Sequence, residues 1–114
     1  MSPSEAVRVV VAEQGEHVVV SAHGLLYIDT LWPLRDALLA EVGRDGARVI
    51  LDLGGVCQCD SSGLNLFVKA HRLAGERGGW FGLAAPRPAV RRLLDLTNLS
   101  RALHVFDTVE EASA

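Results

Sequence analysis

The sequence predicts a single α/β domain on a mixed sheet of four to five strands. It opens with an antiparallel hairpin, continues through parallel βαβ crossovers and carries its helices mainly on one face. Three observations predict this. Two β-branched runs flank the polar stretch Glu13-Gln14-Gly15-Glu16. A strand, a long helical run and another strand follow in succession from Arg48 to Ala84. A chain of 114 residues supports one core and leaves no room for a second. The domain is read as spanning 1–114, with 1–5 as a flexible lead.

Val7 to Ala12 and His17 to His23 are the β-branched runs, and the stretch between them has the length and composition of a hairpin loop. Leu25 to Thr30 reads as a connection. The first helix holds Pro33 in its first turn, where a missing N–H is harmless. It places Leu31, Leu34, Leu38, Leu39 and Val42 on one face before Gly43-Arg44-Asp45-Gly46 ends it. Arg48 to Leu53 is a short strand, and Gly54-Gly55 with Val56 to Cys59 leads to a turn at Asp60. Leu64, Phe67, Val68, His71 and Leu73 to Ala74 then keep helical spacing until Gly75 to Gly79. Trp80 to Ala84 is the next strand, so strand, helix and strand form a right-handed crossover with parallel strands. Pro86 and Pro88 bracket the start of a third helix with Val90, Leu93, Leu94 and, as its last member, Leu96 on the buried face, and Arg87, Arg91 and Arg92 outward. Leu103 to Phe106 is a last strand, and Thr108 to Ala114 a short capped helix with Glu110 and Glu111 in its first turn.

Composition narrows the function. A hydrophobic fraction of 49% with 22% charged residues is that of an ordinary globular domain. The net charge of −3, from 11 basic and 14 acidic residues well mixed along the chain, supplies no basic stripe and argues against direct nucleic-acid binding. Met1 to Ala6 lacks the features of a secretory signal, and no apolar run is long enough to span a bilayer, so a cytoplasmic protein without membrane contact is expected. Cys57 and Cys59 are too close for an ordinary bridge and read as reduced, small buried residues. With His17, His23, His71 and His104 they complete no paired ligand spacing, so neither a metal nor a cofactor is expected; His71 reads as a half-buried polar residue.

The motif with chemical content is Asp60-Ser61-Ser62-Gly63, between an apolar strand and a helical run. Asp and Ser oxygens accept hydrogen bonds from the N–H groups that a helix start leaves unpaired, so one reading is a simple cap. The same donors and the positive helix end also receive a phosphate carried on one of the hydroxyls. The local residues alone do not choose between these. No Gly-x-Ser-x-Gly elbow, activating His or Gly-x-x-x-x-Gly-Lys loop accompanies the serines, so no catalytic residue is assigned and serine reads as substrate rather than catalyst.

Three segments together resemble one family: the strand Val49-Ile50-Leu51-Asp52-Leu53, the turn Asp60-Ser61-Ser62-Gly63-Leu64, and the stretch from Pro88 to Leu99. They are similar to a STAS domain of the anti-sigma factor antagonist type, and the resemblance covers almost the whole chain. It implies the STAS fold and a binding protein rather than an enzyme. In that family the unphosphorylated antagonist engages an anti-sigma factor that is itself a serine kinase, and so frees a sigma factor. The kinase modifies the serine following the motif Asp, and a phosphatase reverses it. By position the phosphorylated residue is Ser61, with Ser62 second, and the partner-binding set is Asp60, Ser61, Ser62, Gly63, Leu64, Tyr27 and Asp29.

The chain departs from the family between the second strand and first helix. There an acidic Gly-Glu-Leu-Asp-like segment is replaced by Gly24-Leu25-Leu26-Tyr27-Ile28-Asp29, and Gln58 stands where an aromatic residue is common. Leu25, Leu26, Tyr27, Ile28 and Trp32 form either an exposed patch for association or, for Leu26 and Ile28 in particular, part of the core. The alternative function is a sensory or scaffold module that binds a small ligand or a regulatory assembly, with Ser61 never phosphorylated. Oligomeric state is left open.

Overall fold

A computed structural model describes residues 5–114. The expected flexible lead at 1–5 lies, but for Glu5, outside the described residues. The chain begins with β1 (Arg8–Gln14) and β2 (His17–Leu26), antiparallel and joined by a tight turn in which Gly15 takes φ +63°. The expected loop Glu13–Glu16 thus shrinks to Gly15-Glu16, with Gln14 and His17 already paired. Then follow α1 (Trp32–Val42), β3 (Arg48–Cys59), α2 (Ser61–Glu76), β4 (Trp80–Ala84), α3 (Pro88–Leu96), α4 (Leu99–Ala102), β5 (His104–Phe106) and α5 (Val109–Ser113). The five strands lie in the order β1-β2-β3-β4-β5, and every pair after the first is parallel.

The main core fills one face of this sheet. Leu34, Leu38 and Val42 of α1 and Leu64, Phe67, Ala70 and Ala74 of α2 are buried with Val20, Leu51, Leu53 and Leu83 of the strands. The other face carries a smaller cluster, in which Ala112 and Val109 of α5 pack with Val19, Ile50, Ala84, Trp80 and Phe106. The helices therefore sit mainly on one face, as the sequence predicts, with α5 as a small cover on the back.

Several expectations need correcting. β3 does not end at Leu53, and β2 does not stop at His23. The two continue side by side to the pair Leu26 and Cys59. Two bulges make this possible, because Ser21 to His23 faces Asp52 to Gly55, and Gly24 to Leu25 faces Val56 to Gln58, each adding one residue to β3. Gly55 is required at the first. A Cβ there would stand 2.2 Å from the His23 ring and 2.7 Å from the Ala22 carbonyl oxygen. Each bulge also shifts the inward phase of the strand, so Leu51, Leu53, Val56 and Cys59 are buried while Cys57 is exposed, contrary to its expected burial. Leu96 is 70% exposed rather than on the buried face with Val90 and Leu94, because it lies about 200° round α3 from Leu94. The helix α4, preceded by Asn98 at φ 60°, was not expected from the sequence. Leu26 is fully buried and Ile28 is 79% exposed, which divides the Leu25–Trp32 segment between core and surface.

Candidate functional site

The site is built where the two extended strands hand over to their helices. Asp60 follows β3 in extended conformation, and its N–H donates to the Leu26 carbonyl at 3.1 Å, continuing the β2–β3 seam by one more bond. Its Oδ1 then accepts from the Ser62 N–H at 2.9 Å and more weakly from the Gly63 N–H at 3.4 Å, so the carboxylate caps α2. Its Oδ2 accepts from the Ile28 N–H at 3.3 Å. One side chain thus fastens the helix mouth to the β2–α1 loop. Gly63 permits the close approach of these segments, since a Cβ on it would meet Cys59 Cβ at 3.0 Å and Leu26 Cβ and carbonyl oxygen at 3.2 Å.

The loop is shaped from within by Thr30, which is fully buried. Its hydroxyl donates to the Leu25 carbonyl at 2.6 Å and accepts from the Tyr27 N–H at 3.0 Å, while the Thr30 and Leu31 N–H groups both donate to the Tyr27 carbonyl at 3.0 Å. The loop therefore holds a fixed turn in place of the acidic segment. Tyr27 is half-buried, and Ile28 and Asp29 face solvent.

Ser61 is the first residue of α2 and is exposed, and Ser62 beside it is half-buried. Among the described residues neither hydroxyl makes a hydrogen bond; the capping position is held by Asp60, which takes the Ser62 and Gly63 N–H groups. Gly63 and Leu64 are buried, so they shape the turn from beneath instead of lining its surface. Of the residues singled out from the sequence, Asp60, Ser61, Ser62, Tyr27 and Asp29 share one end of the domain. Asp29 makes no side-chain hydrogen bond among the described residues.

Burial first, and then the neighbouring Asp60 carboxylate, push the Cys59 thiol up to about 11, which keeps it protonated at neutral pH. Exposed Cys57 stands apart, with Arg87 Nη1 3.9 Å from its sulfur. Of the three arginines expected outward on α3, Arg91 is half-buried and pairs with Asp107, while Arg87 and Arg92 are exposed. His71 is half-buried beside His104, their ring centres 5.8 Å apart. Among the described residues no helix is long and apolar enough to cross a membrane, and no three His, Cys, Asp or Glu side chains are grouped as a metal site would need.

Reading the sequence missed Arg35, Asn65 and Lys69. Together with Ile28, Leu31, Ser62 and Leu66 they line a groove of about 280 Å³ between α1 and α2, next to the serines. A signal was available, because 62, 65, 66 and 69 follow the i, i+3, i+4, i+7 spacing of one helix face.

Known proteins resemble this chain in sequence and in overall fold. The chain is 37% identical over 65 residues to a Thermotoga maritima protein provisionally assigned as an anti-sigma factor antagonist; the match covers 57% of this chain and 58% of that protein. It is 30% identical over 64 residues to an anti-sigma F factor antagonist from Paenibacillus polymyxa, covering 56% and 55% of the two chains. The matched stretch thus spans little more than half the length of these relatives. A crystal structure of an anti-sigma factor antagonist from Mycobacterium paratuberculosis superimposes with a TM-score of 0.86 at 28% identity, over 98% of this chain and 95% of that one. A STAS domain model matches residues 8–112, and the chain belongs to the STAS domain family, with relatives of the anti-sigma factor antagonist type.

Proposed function

We propose that this domain is an anti-sigma factor antagonist that binds an anti-sigma factor with serine kinase activity and thereby releases a sigma factor. Phosphorylation of Ser61 by that kinase switches it off, and a phosphatase restores it. It acts in the cytoplasm by binding, and its serine is a substrate rather than a catalytic group. The observation that carries this reading is the division of labour at the α2 mouth. Asp60 supplies the cap, which leaves the Ser61 hydroxyl exposed and without a hydrogen bond among the described residues.

A phosphate there adds about −1.5 to −2 charges next to the Asp60 carboxylate. The helix end tolerates that charge, but a partner surface packed closely against Asp60, Ser61 and Ser62 does not, since it was shaped around a neutral hydroxyl. The domain has no need to refold, because the cap and the Ile28 tether belong to Asp60. Loss of a few kcal/mol in such an interface corresponds to roughly a hundredfold in affinity.

The test combines mass spectrometry after incubation with candidate anti-sigma kinases and ATP with titration of wild type, Ser61→Ala and Ser61→Asp against the same kinase. Modification at Ser61, constitutive binding by Ser61→Ala and weak binding by Ser61→Asp are expected. Modification confined to Ser62, or equal affinity of all three forms, rejects the assignment. The groove beside the serines favours a second reading, a sensory or scaffold module in which Ser61 is not phosphorylated. That reading is distinguished by a thermal shift with a small ligand and no response to any kinase.

A further inference from the structure

The groove between α1 and α2 has a composition that sets it apart from the rest of a chain with net charge −3. Its lining contains two cations, Arg35 and Lys69, and no acidic residue. Among the described residues Lys69 has no ion-pair partner, and Arg35 meets only its exposed sequence neighbour Asp36, at 3.4 Å. Such an exposed pair contributes little and leaves the guanidinium available. Ser62 and Asn65 add hydrogen-bonding groups to the same wall, and Ile28, Leu31 and Leu66 supply apolar surface. Ile28 is held over the groove with 79% of its surface exposed, by a loop that Thr30 and Asp60 fix from below. An exposed branched aliphatic side chain beside an unpaired lysine and an arginine held only by a weak surface pair is a combination that neither core packing nor a solvated helix face requires.

We infer that this groove is a binding site for a small amphiphilic anion, with a carboxylate or phosphate head between Arg35 and Lys69 and a short hydrocarbon tail against Ile28, Leu31 and Leu66. The head group is chosen by the charge. The groove lining holds two cations and no carboxylate, Asp36 pairs with Arg35 only at the exposed surface, and Asp60 is engaged by the Ile28, Ser62 and Gly63 N–H groups, so an anion is favoured over an ammonium, and a guanidinium with hydroxyl and amide donors suits oxygen acceptors. The tail is chosen by the apolar wall, and its length by the volume of about 280 Å³, which suits a chain of modest size and falls at the lower limit for ligand pockets. Ser62 lines the groove, so an occupant also lies beside the α2 mouth. The site does not depend on phosphorylation of Ser61.

Titration of the whole chain with octyl phosphate and with octanoate, below their micelle-forming concentrations and followed by amide NMR shifts, tests this. Inorganic phosphate and octyltrimethylammonium serve as the head-only and opposite-charge controls. Saturable shifts at Arg35, Ser62, Asn65 and Leu66 with the octyl anions are expected, with inorganic phosphate at least tenfold weaker and the octylammonium without effect there. The double variant Arg35→Gln, Lys69→Gln changes only exposed side chains and should weaken octyl phosphate at least tenfold. Ile28→Asp, at another exposed position, should weaken both octyl anions. Equal shifts with the octylammonium, equal affinity for inorganic phosphate, or unchanged binding in these variants with native thermal unfolding overturns the inference.

Discussion

The carboxylate of Asp60 accepts a hydrogen bond from the backbone N–H of Ile28, 32 residues away in sequence, at 3.3 Å, while its other oxygen caps α2. The cap and the tether are therefore the same residue. Replacing Asp60 by Ala should lower stability by about 1–2 kcal/mol, the upper range for a helix cap, and Asp60→Asn, which keeps an acceptor, should cost less. Urea denaturation of the two variants checks this. Amide exchange at Ile28 should quicken in Asp60→Ala, and equal protection in wild type and variant would show that the tether is not formed.

Gly63 and Gly75 lie in the same helix and should respond with opposite signs to alanine. Gly75→Ala places a methyl where nothing stands within 4 Å and should stabilise by about 0.5–1 kcal/mol through helix propensity. Gly63→Ala puts that methyl 3.0 Å from Cys59 Cβ and 3.2 Å from the Leu26 backbone, and should destabilise by about 1–3 kcal/mol. Thermal unfolding of the pair is decisive, because two changes of equal sign would contradict the close packing of the α2 mouth.

The two thiols should differ sharply in reactivity. At pH 8 a thiol reagent should modify exposed Cys57 in the native protein and spare Cys59, which is buried and whose pKa is raised to about 11. The same shift predicts a pH dependence. Unfolded Cys59 ionises near its ordinary value of 9.0 and native Cys59 does not, so stability present below that pH is progressively lost as pH rises toward about 11. Cys59→Ala should reduce that slope in denaturation measured from pH 8 to 11, and an unchanged slope would remove Cys59 as its source.

His17 sets the opposite edge of the pH profile. It is buried against Trp80, its Nε2 has no hydrogen-bond partner among the described residues, and its pKa is lowered by desolvation first and by Arg48 second. A protonated imidazole is favoured in the unfolded chain, so stability is full above the ordinary value of 6.5 and falls as pH drops below it. His17→Phe should therefore gain more stability relative to wild type at pH 5 than at pH 7.5. Equal differences at the two pH values would show that His17 is not the group responsible.

The α2 mouth was legible in the sequence because capping is local. An acid followed by two serines and a glycine between a strand and a helix satisfies nearby N–H groups wherever it occurs. The end of β3 was not legible. Gly54-Gly55 reads as a break, but β2 supplies the partner strand and two bulges absorb the extra residues, which also separates Cys57 from Cys59 in exposure. Likewise Leu26 and Ile28 are alike in composition, and only the long-range seam from Leu26 to Cys59 and Asp60 turns one inward and leaves the other out.

Periodicity and capping act over a few residues, so the chain's local pattern already marks the five strands, the helices other than α4, the hairpin and the crossover, and Asp60-Ser61-Ser62-Gly63 as a helix mouth. Packing in three dimensions makes Asp60 rather than a serine the cap and has it hold the β2–α1 loop as well, brings Gly63 close against Cys59 and Leu26, and places Arg35 and Lys69 in one groove with Ile28. Those relations join residues distant in the chain, and their geometry follows from how two helices and a bulged strand pack against one another.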